Sequence, residues 1–355
     1  MKRTVTFTFV LFFAFSTFAQ RKVIEVGTIP GYQTLKCDFH MHTIFSDGLV
    51  WPDYRVDEAY RDGLDAIAIT DHIEYLPHKK HTVSDHNTSF EIAKEYAASK
   101  NIILIPGTEI TRKMPPGHLN ALFLDDVNQL TDEDFLTVIE MAIAQDAFVF
   151  WNHPGWTGQQ PDGVERWYDV HSTLLAKGWL HGIEFFNYSE HYPVVLDWCI
   201  DSNLTVICNS DVHGIISEQY DLHKGKMRPM TLVFAKERSA GSIREGLMEG
   251  RTLAYFNDTI AGKPDLAEPF FMNSIQIGEP FKETDEEVFF EIRNDTDIPY
   301  KLKRSEGQNG PGILDLEAHS SVIVRADKSG NRALAYEVLN MMVGMDKNLT
   351  VSISY

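Results

Sequence analysis

LKCDFHMH (35–42), DYRVDEAYRDG (53–63), LDAIAIT (64–70), SFEIAKEYAASK (89–100) and NIILIPGTEI (101–110) decide the architecture of this chain. The first, third and fifth are short apolar runs bounded by polar residues, the signature of buried strands. The second and fourth read as amphipathic helices. Strand, helix, strand, helix, strand is a series of βα units, and it continues. HLNALFL (118–124), a helix over DEDFLTVIEMAIAQ (132–145), AFVFWN (147–152), a helix near VERWYDVHSTLLAK (164–177), HGIEFFN (181–187), a helix over YPVVLDWCIDS (192–202) and LTVICNS (204–210) follow in turn. RPMTLVFAK (228–236) precedes one more helix, SAGSIREGLMEG (239–250), and the strand RTLAYF (251–256). So many alternations predict a parallel barrel or doubly wound sheet.

From about Ala267 the helices largely stop. MNSIQIG (272–278), EVFFEIRND (287–295), YKLKRSE (300–306), SSVIVRA (320–326) and LTVSISY (349–355) alternate apolar and polar positions between turn-rich stretches. That is the pattern of a small antiparallel β-sandwich. GKPDLAEP (262–269) supplies linker chemistry, so the expected division is a barrel over residues 20–266 and a sandwich over 267–355. A length of 355 residues suits a barrel with a small partner.

The first 19 residues place Lys2 and Arg3 before the apolar run Val5 to Phe18, with Thr17 and Ala19 ahead of a cut before Gln20. This is the layout of a secretory signal peptide, and the run falls short of the ~20 residues a membrane span needs. The expectation is an exported protein, periplasmic or secreted, with no span after cleavage. Its formal charge of −19 becomes −21 once Lys2 and Arg3 are removed. A surface so acidic disfavours a nucleic-acid coat protein or a binder of anionic membranes. Cys37, Cys199 and Cys208 each lie in an apolar run, and three cannot all pair within the chain. Buried free thiols are expected, with a Cys199–Cys208 bridge as the alternative.

The chemistry lies where the apolar runs end. His40 and His42 are two apart, so in a strand they face the same side and can grip one cation. An isolated HxH is weak evidence, because core imidazoles are common. Here, however, Asp47 follows the first strand, His72 the second, Glu109 closes the third, and His118 opens the next. His153 follows AFVFWN, and Asp211 and His213 follow LTVICNS. Strand ends of a β/α barrel meet around one rim, where barrel enzymes carry their sites. Six of the 14 histidines fall there, which predicts a metal centre.

The ordered motifs DFHMHT (38–43) with SDG (46–48), ITDH (69–72), GTE (107–109), GHL (117–119), HP (153–154) and NSDVH (209–213) resemble those of the PHP superfamily of metal-dependent phosphoesterases. The likeness runs from about Lys36 to Phe256; the leader and β-rich tail make the chain look more like secreted phosphodiesterases of that superfamily. The resemblance implies a distorted (β/α)7 barrel with two to three divalent ions, zinc, manganese or iron. His40, His42, Glu109 and Asp211 would hold one ion, Glu109, His118 and His153 a second, and Asp47, His72 and His213 a third. Glu109 would bridge, and Asp211 and His213 would steer protons. Some members carry His in place of Asp47, and oxygen ligation there favours manganese or iron. Such ions would neutralise a phosphate diester and ionise a water near neutral pH.

Further expectations are softer. Asp38 and Asp71 either orient imidazoles or cap loops. Arg112, Lys113 and Arg251 are candidate substrate contacts, against a solvated pair for the first two and a helix cap for the third. Trp156, Glu184, Asn187 and His191 follow strand ends and could line the pocket. The loop 74–87, with His78, His81 and His86, could cover it. The expected substrate is a small phosphate ester, a diester ahead of a monoester; an amidohydrolase or a non-catalytic metal- or glycan-binding protein are the alternatives.

Overall fold

The computed structural model describes residues 21–306, 309–328 and 332–355. The expected signal segment lies outside them. β1 (Gln33–Asp38), α1 (Pro52–Asp62), β2 (Ala66–Ile69), α2 (Thr88–Ser99) and β3 (Ile103–Ile110) form the opening alternation. α1 starts with Pro52, whose missing N–H costs nothing there, and stops at Gly63, whose positive φ of 84° lets its N–H cap the carbonyls of Ala59 and Tyr60. β4 (Leu119–Leu122), α3 (Phe135–Ala144), β5 (Phe148–Trp151), α4 (Asp169–Ala176), β6 (Gly182–Asn187), the short β7 (Glu190–His191), α5 (Pro193–Asp201) and β8 (Thr205–Asn209) follow. The single-turn α6 (Ile216–Gln219), β9 (Met230–Ala235), α7 (Ala240–Met248), β10 (Thr252–Phe256) and β11 (Thr259–Gly262) complete the barrel.

The barrel is mixed rather than wholly parallel, which corrects the first expectation. β1, β2 and β3 are parallel, as are β5, β6 and β8. β4 runs antiparallel to both neighbours, β9 antiparallel to β1, and β10 antiparallel to β9. The cause is the connection: no helix separates β3 from β4, so the chain turns straight back instead of crossing over. At the seam between β8 and β9–β10, hydroxyls stand in for ladder bonds. Thr231 Oγ1 accepts from the Cys208 N–H at 2.9 Å and donates to its carbonyl at 2.8 Å, and Thr252 Oγ1 donates to Val206 O at 2.7 Å.

Two apolar cores result. Cys37, Phe39, Ala66, Ala68, Ile105, Phe148, Phe150, Ile207 and Val233 fill the barrel, and Ile243 and Leu247 of α7 join them. α7 therefore plugs the end where the parallel strands begin, and the other end is left for a site. Cys37, Cys199 and Cys208 are all buried and free.

GKPDLAEP is not a linker. Pro264 opens a helix, α8 (Pro264–Ser274), which buries Ala267, Phe270 and Phe271, and the strand expected from Met272 begins only at Ile275. Proline near a helix start reads like proline in a loop, which accounts for the difference. The β-rich tail forms as expected. β12 (Ile275–Ile277), β13 (Lys282–Glu283), β14 (Glu287–Asn294) and β17 (Ser320–Asp327) make one sheet; β15 (Tyr300–Arg304), β16 (Ile313–Leu316), β18 (Ala333–Gly344) and β19 (Lys347–Ser354) make the other. The second sheet continues the barrel's, because β18 pairs in parallel with β11 through Ile260↔Met341 and Ala261↔Met342.

Candidate metal centre

Strand direction explains why distant residues meet. His40 and His42 follow β1, His72 follows β2, and Glu109 lies near the end of β3, so all reach the rim opposite α7. His118 precedes β4, which runs the other way, and so arrives at the same rim; Ile110 pairs with Leu119 in that hairpin. His153 follows β5, and Asp211 and His213 follow β8. His153 and Asp211 adopt positive φ values of 30° and 50°. Non-glycine residues held in that region mark places where surrounding structure imposes the conformation, often at functional sites.

The nine expected residues come together. The Nε2 atoms of His40 and His42 lie 3.5 Å from Glu109 Oε2, and 3.2 and 3.1 Å from Asp211 Oδ1. His118 Nδ1 lies 2.9 Å and His153 Nε2 3.6 Å from Glu109 Oε1. Asp47 stands 3.4 Å from His72 Nε2 and 3.2 Å from His213 Nε2. Donors bound at roughly 2.1 Å to a shared ion stand about 3.0 Å apart in an octahedron and about 3.4 Å apart in a tetrahedron. Most of these spacings match.

The groups are not three separate sets. His42 also clusters with Asp47, His72 and His213; His153 clusters with His40 and Asp211; and His72 clusters with Glu109 and His118. Hydrogen bonding adds an independent sign. His40 Nε2, His42 Nε2, Glu109 Oε2, His118 Nδ1 and Asp211 Oδ1 are buried and, though close to other atoms of the cluster, form no well-aligned hydrogen bond. Native interiors rarely leave such atoms unsatisfied, and here they crowd into one place.

The PHP domain family matches residues 38–218, and an Ig-like domain matches 275–354. This chain belongs to the PHP family. A two-domain protein from Bacteroides vulgatus containing a predicted PHP-like metal-dependent phosphoesterase superposes with a TM-score of 0.91 at 47% identity, covering 95% of this chain and 99% of that one. A putative metal-dependent phosphoesterase from Bifidobacterium adolescentis aligns at 18% identity with a TM-score of 0.43, over 60% of this chain and 96% of that one. A lesion-specific endonuclease from Pyrococcus furiosus aligns at 14% and 0.44, over 65% of this chain and 59% of that one. None of the curated proteins matches significantly.

Around the PHP cluster a layer of fixed partners sets the imidazoles. Glu184, fully buried on β6, receives four donors. His40 Nδ1 lies 2.9 Å and Asn209 Nδ2 2.9 Å from Oε1, while the His153 N–H at 2.9 Å and Asn187 Nδ2 at 2.8 Å reach Oε2. An ionised carboxylate can only accept, so His40 keeps a proton on Nδ1 and turns Nε2, the nitrogen a cation would take, toward Glu109 and Asp211. Glu184→Gln would set an NH2 group against donors. The expected result is a folded protein with metal affinity about 10- to 100-fold weaker, measured by chelator competition. Unchanged affinity would remove Glu184 from this role.

Asp38 and Asp71 touch no imidazole and act on loops instead. Asp38 accepts from the buried Arg228 and from the Ser210 N–H, and Asp71 accepts from Thr43 and Ser46. Thr111 Oγ1 meets His72 Nδ1 at 2.7 Å, and Asn152 donates to Glu109 at 2.8 Å. Arg55 of α1 reaches the carbonyls of His42, Val212, His213 and Gly214 and pairs with Glu58 at 2.6 Å. The loop role of Asp38 and Asp71 is the second of the two alternatives the sequence leaves open, whereas the contacts of Thr111, Asn152 and Arg55 have no counterpart there, and Glu184 and Asn187 figure only as pocket liners.

The field in the PHP cluster is set by carboxylates facing imidazoles. Burial raises the cost of ionising Glu109, yet His72, His118 and His40 hold its pKa well below the usual range. Asp211 is likewise lowered against burial by His40 and His42. Burial opposes a charge on His72, but Glu109 and Asp47 carry its pKa up to about 10. His40 is raised by Asp211, Glu184 and Glu109 against the same penalty. His42 goes the other way, to about 4, through burial and the neighbouring His213 and His72. Cation uptake would therefore displace protons from His40 and His72.

Substrate contacts divide. Lys113 lines the cavity over the cluster, about 420 Å³ in volume, together with Tyr75, Trp156 and Gln159. Arg112 instead pairs with Glu74 and donates to Asp132 O at 2.9 Å. Arg251 is misplaced by the sequence reading: it precedes β10 at the α7 end, bonded to Glu245, Glu249 and Phe234 O and laid over Tyr32. β10 runs the same way as β1, so its start, like that of any strand following a barrel helix, lies at the end opposite the site. His78, His81, His86 and His191 are absent from the cavity lining, and Asn187 reaches Asp211 at 3.3 Å.

Proposed function

We propose that this chain is an exported metal-dependent phosphoesterase acting on small phosphodiesters, with two to three divalent ions, zinc, manganese or iron, held by His40, His42, Asp47, His72, Glu109, His118, His153, Asp211 and His213. The observation that carries it is the convergence of five buried ligand atoms that form no well-aligned hydrogen bond within the protein. When bound, such ions supply positive charge and acidify water near neutral pH. The chain's own residues do the rest. Glu109, with one oxygen toward His40 and His42 and the other toward His118 and His153, is placed to bridge. His213 rests its Nδ1 on Asp211 O at 2.9 Å and faces Asp47 Oδ2 with Nε2 at 3.2 Å, so with Asp211 it would orient a water at the cluster and steer its protons. Lys113 is the one lysine or arginine in the cavity lining among the described residues, and would reach an ester oxygen beside the ions. The preference for a diester over a monoester rests on the likeness to secreted phosphodiesterases, and the paired substrates below test it.

Metal-stripped protein is expected to be inactive and to regain activity with manganese, zinc or iron. It should cleave bis(p-nitrophenyl) phosphate faster than p-nitrophenyl phosphate. Chelation should lower Tm by about 5 °C or more, since saturation near 100 times Kd stabilises by about 2.7 kcal/mol. Full activity after complete chelation would sink the metal reading; a faster monoester would overturn the diester preference alone.

A further inference from the structure

Two large aromatic side chains at the cavity mouth are exposed, although the nearby core is dense. Trp156 keeps 41% and Tyr75 52% of its surface accessible. Both line the cavity, and both flank the metal cluster: the Trp156 ring lies 5.2 Å from that of His153 and 5.9 Å from that of His118, and the Tyr75 ring lies 5.7 Å from that of His72.

Each ring is held in place rather than left on a loose loop. A Cβ on Gly158 would meet Trp156 Cζ2 at 2.5 Å, so the indole lies flat against a position where only glycine fits. The Trp156 carbonyl also accepts from the Gln159 and Gln160 N–H groups at 2.9 and 2.8 Å. On the other side Glu74, next to Tyr75, accepts from the Thr111 N–H at 2.7 Å and pairs with Arg112. Gln159 Nε2 donates to Arg112 O at 2.9 Å, tying the two walls together. Its Oε1 is buried beside Gly117.

We infer that Trp156 and Tyr75 set specificity by gripping a flat ring on the substrate's organic substituent. This rests on the phosphoesterase reading and narrows it: the preferred ester carries an aromatic or pyranose ring. Rigid, exposed aromatic faces bind other ring faces well because little conformational freedom is lost, and water already hydrates the ring poorly. A small alkyl ester would leave both faces wet.

Phenylphosphonate and methylphosphonate carry the same charge and neither is hydrolysed, so the ratio of their affinities isolates the substituent. Calorimetric titration of metal-loaded wild type is expected to favour phenylphosphonate by about tenfold. In Trp156→Ala and Tyr75→Ala that ratio should fall toward one, while Trp156→Phe should keep most of it. Gly158→Ala tests the same wall without removing the ring, and should also reduce the ratio by displacing the indole. Cyclohexyl- against phenylphosphonate separates a saturated ring from an aromatic one. A wild-type ratio near one, or a ratio unchanged in Trp156→Ala and Gly158→Ala, would overturn the inference. Loss of all ester hydrolysis with the ratio intact would instead refute the phosphoesterase reading and leave the ring site standing.

Discussion

Asp211→Asn and His40→Ala are each expected to reduce phosphate-ester turnover by more than about 100-fold, the upper end of what losing a partner behind a metal ligand does. Asp211 Oδ1 lies within 3.2 Å of the Nε2 atoms of both His40 and His42, and its other oxygen reaches toward His153. An amide there keeps the size but removes the charge that attracts a cation. His40→Ala removes a nitrogen and strands Glu184, whose remaining donors are Asn187, Asn209 and the His153 N–H. Elemental analysis of the purified variants should show less bound metal than wild type, and thermal melts should show that the barrel persists. Wild-type turnover in either variant would contradict the assignment of the site.

Arg55→Ala should act through stability. Arg55 and Glu58 have side chains with 0% exposure, and the pair is one helical turn apart. Removing one partner of a buried pair leaves the other charged and uncompensated, a loss of about 3–5 kcal/mol. Glu58 cannot turn to water, because its second oxygen accepts from the Ile216 N–H at 2.8 Å. Burial is also the main influence on Arg55, lowering its pKa. Urea unfolding of the variant should shift to a lower midpoint with the slope unchanged. Replacing both residues with Met should recover much of the stability, since a well-packed apolar pair often matches a buried ionic one. Metal affinity should not recover, because the carbonyls of His42, Val212, His213 and Gly214 would still lack their donor. A midpoint within error of wild type for Arg55→Ala would show that the pair is not desolvated in solution.

The difference between what was and was not legible follows from where each signal resides. His40, His42, His72, His153 and Asp211 could be read because each directly follows an apolar run, and a run's end is a local property. His118 was found although its strand is reversed, because a tight return brings the start of one strand beside the end of the last. Arg251 follows a helix and precedes a strand, a position that belongs at the plugged end of a barrel, so its place beside α7 agrees with the helix-cap alternative and not with a substrate contact. Arg55 sits in DYRVDEAYRD, where one more charge on a helix looks solvated. Only the packing of α1 beneath the loop carrying His213 shows otherwise. Glu184 left a trace that could have been weighed more heavily, since a lone acid inside GIEFFN, a strand buried along its whole length, needs donors from somewhere.

The pairing of β11 with β18 gives the tail a role that needs no ligand. Without Met341 and Met342, the main-chain groups of Ile260 and Ala261 would form an open rail to which another extended chain could add. The tail covers that rail from within the same molecule. Barrel and tail are thus bound into one continuous ladder, and a lineage exchanging one tail for another would have to supply a strand in the same orientation and register or risk self-association.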